Sequence, residues 1–298
     1  MSTRAQVSPE VEALDVEDRP TAASRPSNAR SRELGAELRR IRRRAGMSPA
    51  DTAEALGWSL GKLNKLETGS RRTSPWEIAV LLGRIGADKA TRHRIQTIID
   101  QPDTGTFLRP HHQAPDTLTA LTVHERLART ITAYEPLTIP SLAQTEDYAH
   151  ALTGDRALAR ARTARQDRLR HHGQGPDTTL YVHEAALRMV VGDPAIMRDQ
   201  LLHLTLMCGR PDFTPRVIPM SAPLHTATRS PATLLTFDPP LTPLAYTETD
   251  TAMVFHDDPD TVTHHHAKMR HLAALALPVT PSHDVLARWA DRYDHRTN

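Results

Sequence analysis

Ser48 to Gly69 reads SPADTAEALGWSLGKLNKLETG, and this stretch decides the first part of the fold. Ser48 has the character of an N-cap, Pro49 suits the first helical position, and Asp51 lies three residues past the cap. Ala53 and Leu56 give the helix an apolar edge, and Gly57 supplies its C-terminal turn. Trp58 is placed to plug the space beside the turn, Ser59 caps a second helix, and Leu63 and Leu66 give that helix its inward face before Gly69 ends it. Two short helices joined by about four residues including a glycine form the helix-turn-helix pattern. The outward side of the second helix carries Lys62, Asn64 and Lys65, a polar and basic face suited to the major groove.

Charge agrees with that reading. The chain has 298 residues and a formal net charge of +2, yet residues 30–72 hold eleven Arg or Lys against five acids. That segment is therefore six units positive and the rest of the chain four units negative, so a polyanionic partner is expected for this segment alone. The single cysteine, Cys208, excludes an intrachain disulfide framework and fits a reducing cytoplasm; its place on an apolar helical stripe reads as core. No apolar run is long enough for a membrane span and the N-terminus lacks a signal-peptide core, so no membrane partner and a cytoplasmic location, nucleoid-associated when bound to DNA, are expected.

Outward from the opening stretch, residues 1–30 are rich in Ser, Pro, Ala and Thr without periodicity and read as a disordered tail. Residues 32–45 predict a helix, with Leu34, Leu38, Ile41 and Ala45 on one face and Arg39, Arg40, Arg43 and Arg44 off it as phosphate-contact candidates. Ser70-Arg71-Arg72-Thr73 is a basic loop, and Ser74-Pro75-Trp76-Glu77 opens a further helix as a capping box. With a last helix at about 88–100, residues 31–100 make an all-α, five-helix domain. Residues 101–118, with three prolines, read as a linker or surface loop.

Residues 119–298 read as an α+β domain with a small antiparallel sheet. Glu125 to Ile139 passes from helix to extended chain, helices follow at about 145–153 and 155–171, and strands are expected at 179–182, 214–218, 232–237, 243–247 and 252–256. Asp193 and Asp258 open helices, Pro239-Pro240 makes a turn, and Ser282 is expected to cap the last helix. His266 falls on the apolar stripe of the helix after Asp258.

Two resemblances join these residues to known families. LGWSLGKLNKLETGSRRTSP resembles the DNA-binding domain of Xre-type transcriptional regulators of actinobacteria, over roughly residues 33–86, which implies a lambda-repressor-like fold. Gly61, Asn64 and Lys65 stand where that family often has Ser, Ser and Arg, so the resemblance does not carry over an operator sequence. It further implies a partly buried ion pair between Arg42 and Glu67. YEPLTIPSLAQTEDYAHAL, HEAALRMVVGDPAIMRDQLLHL, VIPMSAPLH and PATLLTFD followed by AYTET resemble the C-terminal domain of a group that includes WhiJ-type developmental regulators and antitoxin-like regulators. Ser141, Ala143 and Pro223 replace the Gly, Leu and Gly usual there. This second resemblance implies regulation through a small partner protein encoded nearby.

The DNA-binding set expected from these readings is Ser48, Ser59, Leu60, Gly61, Lys62, Asn64, Lys65, Arg71 and Arg72. Polar readout falls on Lys65, with Lys62 and Asn64 as base or phosphate contacts and Ser59, Arg71 and Arg72 as phosphate contacts. The partner is double-stranded operator DNA, bound as a homodimer over two half-sites. No catalytic residue is expected: there is no phosphate loop, nucleophile elbow or dinucleotide fingerprint, and His183-Glu184 lacks the second histidine of a zinc-protease motif. No cofactor is expected, and the seventeen histidines, including His264-His265-His266 and the pairs His111-His112 and His171-His172, lack metal-ligand spacing. The leading expectation is a sequence-specific transcriptional regulator whose C-terminal domain dimerises, senses a signal or docks a small partner protein; the alternative is an antitoxin-like protein that mainly sequesters a small neighbouring-gene product and autoregulates.

Overall fold

The computed structural model describes residues 27–70, 74–102, 104–111, 116–170 and 175–296. Five helices come first: α1 Ala29–Arg44, α2 Pro49–Ala55, α3 Leu60–Glu67, α4 Pro75–Ile85 and α5 Lys89–Asp100. They enclose a core of Leu38, Ile41, Ala53, Leu63, Leu66, Ile78, Leu81, Leu82 and Ile95, with Trp58 partly buried against it. The first helix begins earlier than expected. Asn28 caps it by accepting from Ser31 N at 2.8 Å, and Ser27 and Ala29 are buried, so residues 27–30 belong to the fold; the rest of the expected tail, residues 1–26, lies outside the described residues.

The remaining elements are β1 Thr106–Pro110, α6 Asp116–Leu127, β2 Thr130–Glu135, α7 Glu146–Thr153, α8 Arg156–Arg170, β3 Asp177–His183, α9 Glu184–Arg188, α10 Pro194–Met207, β4 Phe213–Ile218, β5 Ala232–Thr236, β6 Leu244–Glu248, β7 Ala252–His256, α11 Pro259–Leu275 and α12 Val279–Asp294. The strands form one seven-stranded sheet in the order β1-β7-β6-β5-β2-β3-β4. The α+β class stands, but the sheet is neither small nor wholly antiparallel: β2-β3 and β3-β4 are parallel pairs. Helices α7 and α8, then α9 and α10, carry the chain back across the sheet, and such crossovers allow parallel pairing.

Alternation along β2 sets the layers. Ile131 and Ala133 face one side, where α6 covers the β1-to-β2 half and α7, α9, α10 and α12 cover the β2-to-β4 half. Tyr134 faces the other side, with Leu234 and Ala245, under α11.

Three local expectations change. Residues 101–118 contain β1, whose Phe107 stacks on Phe255 at 4.9 Å; its inward Arg109 is tolerated because Glu33 of α1 neutralises it, and Pro110 suits an edge strand. Ser282 does not cap α12, which starts at Val279; it is buried, its Oγ accepting from Val217 N at 3.0 Å and facing Leu277 O at 3.2 Å. On α11 it is His265, rather than His266, that is buried. Cys208 is half-buried at the C-cap of α10, where burial raises its thiol pKa. The turn between β5 and β6 includes a cis Pro239-Pro240 bond.

Candidate nucleic-acid interface

The caps place α2 and α3. Ser48 Oγ accepts from Asp51 N and Ser59 Oγ from Lys62 N, each at 3.1 Å, and Gly57 turns the chain between the helices at φ +63°. Leu63 and Leu66 then fix the roll of α3, and its outward side presents Leu60, Gly61, Asn64 and Lys65, all exposed.

Two glycines let α3 lie close to α1. A Cβ on Gly35 would stand 2.6 Å from Leu66 O and 2.7 Å from Glu67 O, and one on Gly69, already at φ +68°, would stand 2.4 Å from Ser31 O. Across this contact Arg42 donates to both oxygens of Glu67, Nε to Oε1 at 2.5 Å and Nη2 to Oε2 at 2.9 Å, and also to Met47 O at 2.7 Å. The Glu67 hydrogen bond holds the Arg42 pKa up against desolvation. Arg39 adds a contact to Glu67 Oε2 at 3.1 Å. Sequence reasoning did not single out Gly35; its only trace was a glycine within a helical pattern.

Several basic residues are committed to the fold. Arg40 and Arg94 both pair with Glu37, and Arg109 pairs with Glu33. Of the four off-face arginines of α1, Arg43 and Arg44 are exposed near its C-terminus, whereas Arg39 and Arg40 hold carboxylates. Lys62 is also occupied: Nζ lies 2.7 Å from Glu77 Oε1 and 4.3 Å from the Trp58 ring centroid. It therefore stitches α3 to the start of α4, a role for which Glu77 gave no signal beyond its place in the capping box. Trp76, beside Glu77, is 75% exposed. Arg71 and Arg72 lie outside the described residues, as do His112, His171 and His172.

The junction with the rest of the chain is polar and tightly packed. Ala29 N donates to Asp257 at 2.8 Å, and Arg32 lies over the Phe237 ring at 4.9 Å with its guanidinium pKa lowered to about 10 by desolvation. His124 of α6 is fully buried nearby with neither ring nitrogen hydrogen-bonded among the described residues, and burial, then Arg32 and Arg109, hold its pKa well below the usual value.

A profile of the helix-turn-helix domain matches residues 33–95. With an exposed polar face on α3, that match defines a DNA-binding regulator of transcription of the helix-turn-helix class. A second profile, a domain of unknown function (DUF5753), matches residues 118–288, more than half of the chain. The protein belongs to the DUF5753 family. Among solved structures the chain is similar to the clp gene regulator ClgR from C. glutamicum, with 29% identity over 25% of this chain and 96% of that chain, at a TM-score of 0.21. Curated proteins show no match. No helix of the described residues is long and apolar enough to cross a membrane.

Proposed function

We propose that the protein is a sequence-specific Xre-type regulator that reads operator DNA through α3, as a homodimer on two half-sites. The observation that carries this reading is the outward face of α3, where Leu60, Gly61, Asn64 and Lys65 are exposed while Leu63 and Leu66 lock the helix to its domain. Lys65 supplies polar base readout, Leu60 apolar contact to a thymine methyl, and Gly61 close backbone approach. The helix N-terminus at Ser59, with Ser48, Arg71 and Arg72, contacts phosphate.

The test is selection of bound sites from randomised duplexes, followed by binding of selected and scrambled DNA over a salt series. Lys65→Ala is expected to lose about 1–3 kcal/mol on selected DNA and to relax one base position. Arg71→Ala is expected to weaken both DNAs alike and to flatten the salt slope by about one. Equal weakening of both DNAs by Lys65→Ala would remove Lys65 from base readout.

For the C-terminal domain we propose membership of the WhiJ-type, antitoxin-like group and a role in dimerisation, reception of a signal or docking of a small partner encoded nearby. Support for a protein-binding surface comes from Leu202 and Leu206, exposed four residues apart on α10. The antitoxin-like alternative rests on the same leucines. It requires that the neighbouring small protein arrest growth when expressed alone, and normal growth would exclude it.

A further inference from the structure

The sheet topology brings two carboxylates to one place. β2 and β6 both run antiparallel to β5 between them, so their C-terminal ends lie at the same end of the sheet. Glu135 ends β2 and Glu248 ends β6. Alternation puts Glu135 on the face of Ile131 and Ala133, and Glu248 on the face of Leu244 and Tyr246, which is the face covered by α6. On that face the chain leaves a cavity of about 600 Å³, bounded by both glutamates, α6, α7 and α8. It opens off the end of β2, the strand at which the parallel and antiparallel parts of the sheet meet, a usual place for ligands in sheets of this kind. Its volume is within the range of small-molecule sites.

The charges on its wall are unequal in their freedom. Arg162 donates to Gln144 Oε1 at 3.1 Å and to Glu248 Oε1 at 2.6 Å. Arg165 donates to Ser141 Oγ at 2.9 Å and lies 3.4 Å from Glu125. Both cations are therefore committed, whereas the Glu135 carboxyl has no hydrogen-bond or ion-pair partner among the described residues. Leu121, Ile139, Leu158 and Met253 supply apolar wall.

We propose that this cavity binds a small molecule with a cationic nitrogen group, an amine or amidine on an apolar body, whose charged end sits between Glu135 and Glu248. An anion would meet the unpaired carboxyl and find both arginines occupied. Burial and the neighbouring Glu248 push the Glu135 carboxyl up to about 8, against the opposing charges of Arg162 and Lys268. The cavity also borders the DNA-binding domain through α6. Leu121 lines it and packs in one cluster with Ala29, the first residue of α1. Any effect of occupancy on operator affinity rests on the DNA-binding reading above; occupancy itself does not.

The experiment is calorimetry on the full chain with benzamidine and benzylamine as probes and benzoate as the charge-reversed isostere of benzamidine. At least one cationic probe is expected to bind saturably and at least about tenfold more tightly than benzoate. Glu135→Gln is expected to weaken that binding by at least about tenfold without lowering the melting temperature. If Glu135→Gln does not fold, Glu248→Gln, which keeps an acceptor for Arg162, is expected to show the same loss of binding. Benzoate binding as tightly as the cations, no saturable binding of either cation up to about 10 mM, or unchanged affinity in the folded variants would each overturn the proposal.

Discussion

Arg42 and Glu67, on helices α1 and α3, are joined by two hydrogen bonds, with side chains only 3% and 1% exposed. Removing one member leaves a buried charge, at a cost of about 3–5 kcal/mol. Arg39 remains beside Glu67 and offsets part of that. Arg42→Ala is therefore expected to lower the melting temperature of the N-terminal domain well below that of Arg43→Ala, since Arg43 is exposed. Equal melting temperatures would show that the pair does not hold the two helices.

Lys62 and Lys65 are three residues apart on α3, yet they should behave differently. Lys62 spends its charge on Glu77 and the Trp58 ring, contacts worth together about 1–2 kcal/mol at this exposure. Lys62→Ala should cost stability of that order, visible in urea melts without DNA, whereas Lys65→Ala should leave the melt unchanged. A Lys62→Ala melt that coincides with wild type would return Lys62 to the DNA-facing set.

His124 gives the fold an acid sensitivity. Its folded pKa lies well below 6.5, so it is neutral in the folded chain and the unfolded chain takes up a proton as pH falls below about 6.5. Stability is thus fully present above that pH and is lost below it, by up to about 1.4 kcal/mol per unit for one proton. With both ring nitrogens unbonded among the described residues, an apolar ring of similar shape should be tolerated beside Phe255. His124→Phe is expected to melt no lower than wild type at pH 7.5, and the advantage should widen toward pH 5. A constant difference across that range would mean that His124 does not titrate.

Glu135 acts in the opposite direction. Its pKa is raised from 4.5 to about 8, so its contribution is complete below about 4.5 and is lost as pH rises through 8. Glu135→Gln should therefore gain on wild type between pH 5 and 9, by at most about 1.4 kcal/mol per unit. Parallel melting curves over that span would place the carboxyl in a solvated setting.

β1 bears on where the C-terminal half can be cut. A fragment of residues 119–298 lacks the strand that pairs with β7 and the ring that stacks on Phe255, and losing one buried Phe side chain costs about 3–5 kcal/mol. A fragment of 104–298 is expected to unfold cooperatively and several degrees above 119–298, and neither should shift operator DNA in a gel. A 119–298 fragment as stable as the longer one would make β1 dispensable.

Local signals settled much of this protein in the sequence. The caps at Ser48, Ser59 and Asp258, the turn at Gly57 and the stripe of Leu63 and Leu66 act within one helical turn, so their reading needs no knowledge of distant residues. Most strands were legible for the same reason, through period-two alternation and β-branched residues. Their pairing was not: helices between β2, β3 and β4 were visible, but only the closed sheet decides that those strands run parallel. Phe107 and Arg109 looked like linker because an inward arginine makes sense only once Glu33 lies opposite, 76 residues away. The basic surplus of α1 looked like a DNA surface, yet Glu37 and Glu67 take up Arg40, Arg42 and part of Arg39. Glu135 and Glu248 lie 113 positions apart in the chain, and nothing in either neighbourhood links them. Their meeting depends on strand order, strand direction and the face each side chain takes, which tertiary structure alone decides because backbone pairing is long-range while caps and periodicity are local.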